Sequence, residues 1–227
     1  MKILLICNDK WHKGQIAIDG LMSLERSEYE IDIITDAKDL QPSMLKNYQV
    51  VVLSKSREST EEDSIYWEKE ELQRGFATYV ENGGGILATH SGVVAGDNTQ
   101  ILDDLIGCRF VYHPEQSIVA TAPLKPHYIT EGIKVFREKD EHYIIEVIQG
   151  DVDVLFASYS PKQGDESKYE TEPYFNAPEI LCASGYVRRI GKGRVCALTP
   201  GHNHEVWNNS EFQKILINAI KWCGNCN

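Results

Sequence analysis

The first half of the chain alternates short apolar runs with longer amphipathic segments, and this alternation limits the fold more than any other feature. The run at residues 50–53 is continuous and β-branched, as in strands buried on both faces of a parallel sheet. Strand–helix alternation of this kind predicts an α/β fold, with a mainly parallel sheet and helices on both faces. We predict strands at 3–7, 31–34, 50–53 and 85–89, and helices at 16–24 and 63–82.

The second half is less regular, but its apolar runs still predict a continuation of the same sheet. Residues 188–193 carry a hairpin signal between two strand-like runs, and 163–176 are polar and acidic, as expected for a surface loop. We find no internal repeat or linker, so we predict a single domain over residues 1–227. We predict strands at 117–121, 152–156, 180–187 and 194–198, and helices at 101–106 and from about 210.

The charge and hydropathy of the chain limit its partners and location. Hydrophobic residues make up 42% and charged residues 25%, and the net charge of -11 argues against a nucleic-acid partner. No apolar run is long enough to span a membrane. The first apolar run is too short for a signal peptide and is followed by Asn8, Asp9 and Lys10. We therefore expect a cytoplasmic protein without a membrane partner.

The six cysteines do not form a recognisable disulfide or metal pattern. Cys7, Cys182 and Cys196 lie in apolar, strand-like runs, where a free cysteine behaves as a small buried hydrophobe. The length of the chain and the missing secretory signal argue against a disulfide framework. Cys223 and Cys226 form a lone CxxC with no second ligand pair, and we interpret it as structural or incidental.

The segment 83–92 has a glycine-rich start, a short apolar strand and a His-Ser-Gly end. Ala88 and Gly92 flank His90 two positions on either side. This spacing allows a sharp turn that presents the central residue at the C-terminal edge of the sheet, where open α/β folds place their sites. A plain turn fits the same spacing equally well. Imidazole at the tip favours acid–base chemistry or metal ligation over a covalent acyl intermediate.

Five short motifs follow one another in a fixed order and together cover most of the chain. They are the glycine-rich strand with His-Ser at 83–92, the Gly-x-x-Phe-x-x-His-Pro segment of 107–114, the Pro-His-x-Ile-x-x-Gly-Ile segment of 126–133, the Asp-Glu-x-Tyr of 140–143, and the paired Gly-Lys-Gly-Arg-Val of 191–195 and Gly-His-x-x-Glu-x-Trp of 201–207. Each is weak alone, because short motifs of this kind occur by chance, but their order is specific. In this order they resemble the ThuA-like (trehalose utilisation) family. One position departs from the family's pattern, since Tyr128 stands where the family has proline.

The resemblance implies a flavodoxin-like sheet related to class I glutamine amidotransferases, which hydrolyse glutamine with a Cys-His-Glu triad. His90 falls at the cysteine position and His202 near the triad histidine, with Glu205 as a weaker candidate for the acid. Imidazole in place of the thiol removes the covalent glutaminase route, so we do not expect an amidotransferase. The family implies a role in disaccharide utilisation, trehalose above all, with a small sugar or sugar derivative as the partner.

These observations lead to three functional hypotheses. The first is an enzyme that carries out acid–base chemistry on a carbohydrate, with His90, His202 and Glu141 as catalytic residues. The second adds a divalent metal to the same histidines and carboxylate. The third is a non-catalytic module that binds a sugar or a protein. We expect His12 and His204 at the surface, with the cleft as the alternative location, and His142 as a spectator. We assign substrate contacts to His113, His127, Asp140, Tyr143 and Glu205, and for His113 and His127 the alternative is that each caps a turn.

Overall fold

The computed structural model describes residues 1–24, 28–58, 65–160 and 181–226. Within these residues, nine strands form one mixed sheet, and its parallel half consists of five of them in the order β2-β1-β3-β4-β11. The apolar runs of β1, β3, β4 and β11 are buried on both faces, as predicted for the centre of an α/β sheet, whereas β2 at the edge keeps partly exposed side chains. The five strands are β1 (Lys2–Cys7), β2 (Glu30–Ile34), β3 (Val50–Ser54), β4 (Gly85–Thr89) and β11 (Gly193–Leu198).

Four antiparallel strands extend this sheet beyond β11. They follow in the order β10-β9-β6-β7, and the tight turn between β10 and β11 confirms the predicted hairpin, with Ile190 opposite Gly193. Two further strands, β5 and β8, form a separate antiparallel pair. The strands outside the parallel half are β5 (Cys108–Tyr112), β6 (Ser117–Pro123), β7 (Phe136–Asp140), β8 (Ile144–Val147), β9 (Asp153–Tyr159) and β10 (Leu181–Ile190).

Helices cover both faces of the sheet. Ile3 and Leu5 of β1 pack into one core cluster with α1 and α5, whereas Leu4 and Ile6 face the opposite cluster with α2 and α3. This alternation follows from the period of two along a strand. The predicted fold class, an α/β sheet with helices on both faces, is confirmed. The helices are α1 (Gly14–Met22), α2 (Glu70–Glu81), α3 (Gln100–Ile106), α4 (His204–Asn208) and α5 (Ser210–Cys223).

Several element boundaries differ from the sequence predictions. The long helix predicted at 63–82 is interrupted, because Lys69 is extended (φ -62°, ψ 114°) and separates a short turn at 65–67 from α2. The strands β5, β7 and β8 were not predicted. β7 has the sequence FREKD at the edge of the sheet, so it lacks the apolar alternation that marks a strand. The loop predicted at 163–176 lies outside the described residues.

Two further properties concern the cysteines and the length of the helices. All six cysteines lie within the described residues and are free. Cys7, Cys182 and Cys196 are buried, as predicted, and Cys223 is buried with its thiol donating to the carbonyl of Ile86. In the described part of the chain, no helix combines the length and the apolar character that crossing a bilayer requires.

Candidate functional site

The turn predicted after β4 is present and carries His90. The residue is buried and adopts a left-handed conformation (φ 45°) at the start of a 3-10 turn over His90–Val93. Only glycine fits at Gly92, because a Cβ there would lie 1.9 Å from the carbonyl oxygen of Leu53. The His90 Nδ1–H donates to the carbonyl of Thr199 at 2.8 Å, so Nε2 is the nitrogen that faces the site.

Glu141, which follows β7, lies at the centre of four imidazole rings. Its Oε2 atom is 3.0 Å from His202 Nδ1, and the other three histidines approach it with Nε2. The four rings come from separate parts of the chain, namely the loops after β1, β4, β5 and β11. The predicted catalytic trio of His90, His202 and Glu141 is therefore in one place. The remaining distances to Glu141 Oε2 are 3.4 Å from His90, 3.6 Å from His113 and 3.9 Å from His12.

His12 does not lie at the surface, where we expected it, but in the alternative location, beside the other site residues. Its ring stands beside Glu141 and His90, with only 14% of the side chain exposed, and its Nδ1 lies 2.8 Å from Asp9 Oδ1. Asp9 had no assigned role in the sequence analysis. The sequence feature that indicates a site role for both residues is their position after the C-terminal end of β1, at the same sheet edge as His90.

Asp140 does not face the cleft, in contrast to its predicted substrate contact. The residue is 2% exposed, and its carboxylate accepts hydrogen bonds from the backbone N–H groups of Gly201, His202 and Glu141 at 2.9–3.0 Å. Burial raises the pKa of Asp140, and the nearby His90 and the three N–H groups oppose that shift. Asp140 therefore fixes the backbone that carries His202 and Glu141.

Tyr143 lies inside the cluster of histidines. Its ring stacks on His90 with centroids 4.0 Å apart and on His113 at 5.6 Å, and its hydroxyl is 3.2 Å from His12 Nε2. In the neutral ring with its proton on Nδ1, His12 Nε2 accepts from the Tyr143 hydroxyl, whereas in the protonated ring the Nε2–H donates to it. Burial raises the pKa of Tyr143, so the phenol stays protonated and can donate a hydrogen bond at neutral pH.

Three other predicted residues lie elsewhere. The Nδ1 atom of His127 accepts the N–H of Ile129, and its ring packs against Trp222 with centroids 5.6 Å apart. Glu205 is exposed in the first turn of α4. His142, expected to be a spectator, is buried and bonds through Nε2 to the hydroxyl of Ser158 at 3.1 Å. The structure thus does not bring His127 or Glu205 into the cluster around Glu141.

The arrangement of nitrogen atoms fits a bound cation. The ligand atoms of His12, His90, Glu141 and His202 lie within 4.8 Å of one another. His90 Nε2 and His202 Nδ1 are buried and have no hydrogen-bond partner. An unprotonated imidazole nitrogen this close to a carboxylate oxygen is repelled by it unless a proton or a cation lies between them. Three imidazoles and one carboxylate form a donor set that suits zinc, whose tetrahedral ligands lie about 3.4 Å apart.

The electrostatics of the cluster support the same interpretation. Burial raises the pKa of Glu141, but the surrounding His12, His202 and His90 outweigh this effect and hold it well below its ordinary value. Burial lowers the pKa of His12, but Asp9 and Glu141 raise it to about 9. Burial lowers the pKa of His90, which is therefore neutral. Without a metal, the charge of Glu141 is balanced by a proton on His12, and a divalent cation would displace that proton.

Solved structures share this fold over nearly the whole chain. A protein from Parabacteroides merdae described as ThuA-like is 19% identical with a TM-score of 0.73, and the match covers 100% of this chain and 91% of that one. A ThuA-like protein from Bacteroides uniformis is also 19% identical, with a TM-score of 0.69 and coverage of 98% and 91%. A Thermoplasma acidophilum protein described as part of a GMP synthase is 15% identical, with a TM-score of 0.59 and coverage of 99% and 95%. At these identities the likeness shows the fold alone.

The family assignment comes from the sequence. No curated protein matches the chain. The sequence model of one family, ThuA, described as trehalose utilisation, matches residues 3–223. That span includes the turn at His90, the Asp140–Tyr143 segment and the loop at His202. The chain therefore belongs to the ThuA family.

Proposed function

We propose that this protein is an enzyme that performs acid–base chemistry on a small carbohydrate at a divalent-metal centre. The metal ligands would be His12, His90, Glu141 and His202. One observation carries this proposal: two buried imidazole nitrogens without hydrogen-bond partners lie, together with a third ring, within 3.9 Å of a single carboxylate oxygen. In a binding site that has lost its catalytic function, nothing would offset the free-energy cost of burying these unpaired groups together. The proposed substrate class, a carbohydrate, rests on the family description, trehalose utilisation.

The residues around the centre divide into ligands and groups open to a substrate. His113 differs from the other three histidines because 35% of its side chain is exposed. Its Nδ1–H donates to the carbonyl of Pro114 at 2.8 Å, which leaves Nε2 as a proton acceptor at the mouth of the site. The Tyr143 hydroxyl is a neutral donor beside the same space. A bound divalent ion would polarise a sugar oxygen or a water there.

This assignment separates the protein from enzymes that hydrolyse glutamine. The residue at the tip of the turn after β4 is an imidazole held by Thr199, and it is neutral and buried. One nitrogen of His90 is hydrogen-bonded to a carbonyl and the other lies beside Glu141, an arrangement that suits a metal ligand rather than a nucleophile. We therefore propose proton transfer rather than covalent catalysis. A cytoplasmic location agrees with the six free cysteines.

Turnover of a disaccharide tests the proposal. Metal-loaded protein is incubated with a panel of disaccharides, trehalose first, together with their singly oxidised keto derivatives, and the sugars are followed by ¹H NMR. We expect conversion of at least one sugar, lost after chelation and reduced at least about 100-fold in Glu141→Gln. His204→Gln, at an exposed position on α4, serves as the matched control and should convert the sugar normally. Saturable sugar binding with no conversion by the metal-loaded protein would instead support the non-catalytic binding module.

A further inference from the structure

The loop that follows β1 is organised around the carboxylate of Asp9, whose side chain is fully buried. Its Oδ1 atom accepts the backbone N–H groups of Trp11 and His12, each at 2.9 Å, and the ring Nδ1–H of His12 at 2.8 Å. Its Oδ2 atom accepts the backbone N–H of Ser56 at 2.9 Å. One carboxylate thus shapes the loop, orients the His12 ring and joins both to the end of β3.

The same contacts determine which nitrogen His12 presents to the site. In the neutral ring, the proton held on Nδ1 by Asp9 leaves the lone pair on Nε2, which faces Glu141 and Tyr143. The other tautomer would place an N–H where a metal should bind. His12 lies on a loop, and besides the edge contacts of its ring with His90 and His202, the hydrogen bond to Asp9 restrains it.

The loop is anchored to β3 by a second contact, outside the histidine cluster. The ammonium group of Lys55, which is 1% exposed, donates to the carbonyl of Asn8. Asn8 adopts a left-handed conformation (φ 77°), which turns the chain from β1 toward Asp9. Asp9 is therefore held by contacts to the segment that follows β3 as well as by His12, whose carbonyl accepts the Asp9 backbone N–H at 3.0 Å.

We propose that Asp9 is a positioning residue that selects the His12 tautomer able to bind the metal, an inference that rests on the proposed metal centre. A carboxylate behind a ligating imidazole fixes the ring and increases its basicity, and its loss commonly weakens metal binding 10–100-fold. Asp9→Asn keeps the size of the side chain, but its amide can present either a carbonyl or an NH2 group to His12 Nδ1, so it no longer selects one tautomer. The negative charge of Asp9 beside the His12 Nδ1–H is also lost.

Zinc affinity in a double-mutant cycle tests this role. The dissociation constant for Zn²⁺ is measured by chelator competition on the full chain, for wild type, Asp9→Asn, His12→Ala and the double variant. We expect Asp9→Asn to weaken binding about 10–100-fold in the wild-type background and less than about twofold in His12→Ala. Equal losses in both backgrounds would show a general structural role and overturn the proposal. Asp36→Asn is the matched control, since Asp36 also accepts a backbone N–H two residues on, from Lys38, but outside the site.

A second measurement on metal-free protein separates the two proposals. The hydrogen-bonded proton on His12 Nδ1 should exchange slowly in ¹⁵N NMR spectra of wild type and faster in Asp9→Asn. If wild type binds no Zn²⁺, the metal centre fails, and this proton still reports whether Asp9 holds His12. An Nδ1 proton that exchanges equally fast in both proteins would overturn the role of Asp9.

Discussion

The adjacent residues Glu141 and His142 lie in different surroundings. Glu141 enters the histidine cluster, whereas the next ring turns into the protein interior, is 2% exposed and bonds to the hydroxyl of Ser158. Burial lowers the pKa of His142 from 6.5 to about 4, with only a small opposing effect from Ser158. The folded state therefore favours the neutral ring.

The low pKa of His142 makes stability depend on pH in a defined window. As the pH falls from about 6.5 to about 4, His142 becomes protonated in the unfolded chain but stays neutral in the folded chain. The free energy of unfolding therefore decreases by about 3 kcal/mol. His142→Gln should remove this part of the decrease when urea unfolding is followed across that range. His204→Gln, an exposed position, should leave the pH dependence as in wild type. A decrease of the same size in wild type and His142→Gln would show that the ring is not held neutral.

At the scale of elements, a buried ion pair holds the segment that follows the turn at His90. Arg57, just after β3, is fully buried and donates to the carbonyl of Gly92 at 2.9 Å and to Asp103 of α3 at 3.0 Å. Asp103 also accepts the hydroxyl of Thr99 at 3.1 Å. This pair ties the turn at His90 to α3, so its loss should loosen the turn as well as lower stability.

Removing one partner of this pair should be costly. Arg57→Met leaves the Asp103 carboxylate buried without its counter-charge, which lowers the free energy of unfolding by about 3–5 kcal/mol in urea titrations. The double variant Arg57→Met/Asp103→Leu should regain most of that loss. Arg74→Met, which breaks the exposed pair with Glu70, should change stability by no more than about 0.5 kcal/mol. A loss below about 1 kcal/mol for Arg57→Met would contradict the structural role of the pair.

Sequence patterns predicted some elements better than others for a physical reason. The strand at β4 is a continuous apolar run buried on both faces, and the helix at α5 buries one apolar face, so local sequence patterns predict both. β5 and β8 pair only with each other and keep partly exposed side chains, so their residues carry little pattern. Edge and satellite strands owe their conformation to pairing partners that are distant in the sequence.

At the scale of the whole molecule, the site depends on contacts that no local pattern encodes. The hydrogen bond from His90 to Thr199 joins residues 109 positions apart, and that from Tyr143 to His12 spans 131. His90, His202 and Glu141 could be predicted from the family's motifs. His12 could not, because its role appears only when the end of β1 is placed beside the end of β4. The same sheet order separates His127 and Glu205 from the cluster, although both belong to matched motifs.

The central claim, that four side chains bind one divalent ion, is tested most directly by the metal content of purified protein. Protein prepared without chelators is analysed by mass spectrometry for wild type, His12→Ala, His90→Ala and His202→Ala, with His127→Ala and His204→Ala as matched histidine controls. The account predicts close to one ion per chain in wild type and both controls, and loss of most of it in the three site variants. Full occupancy in His12→Ala and His90→Ala, or loss in His127→Ala, would contradict it.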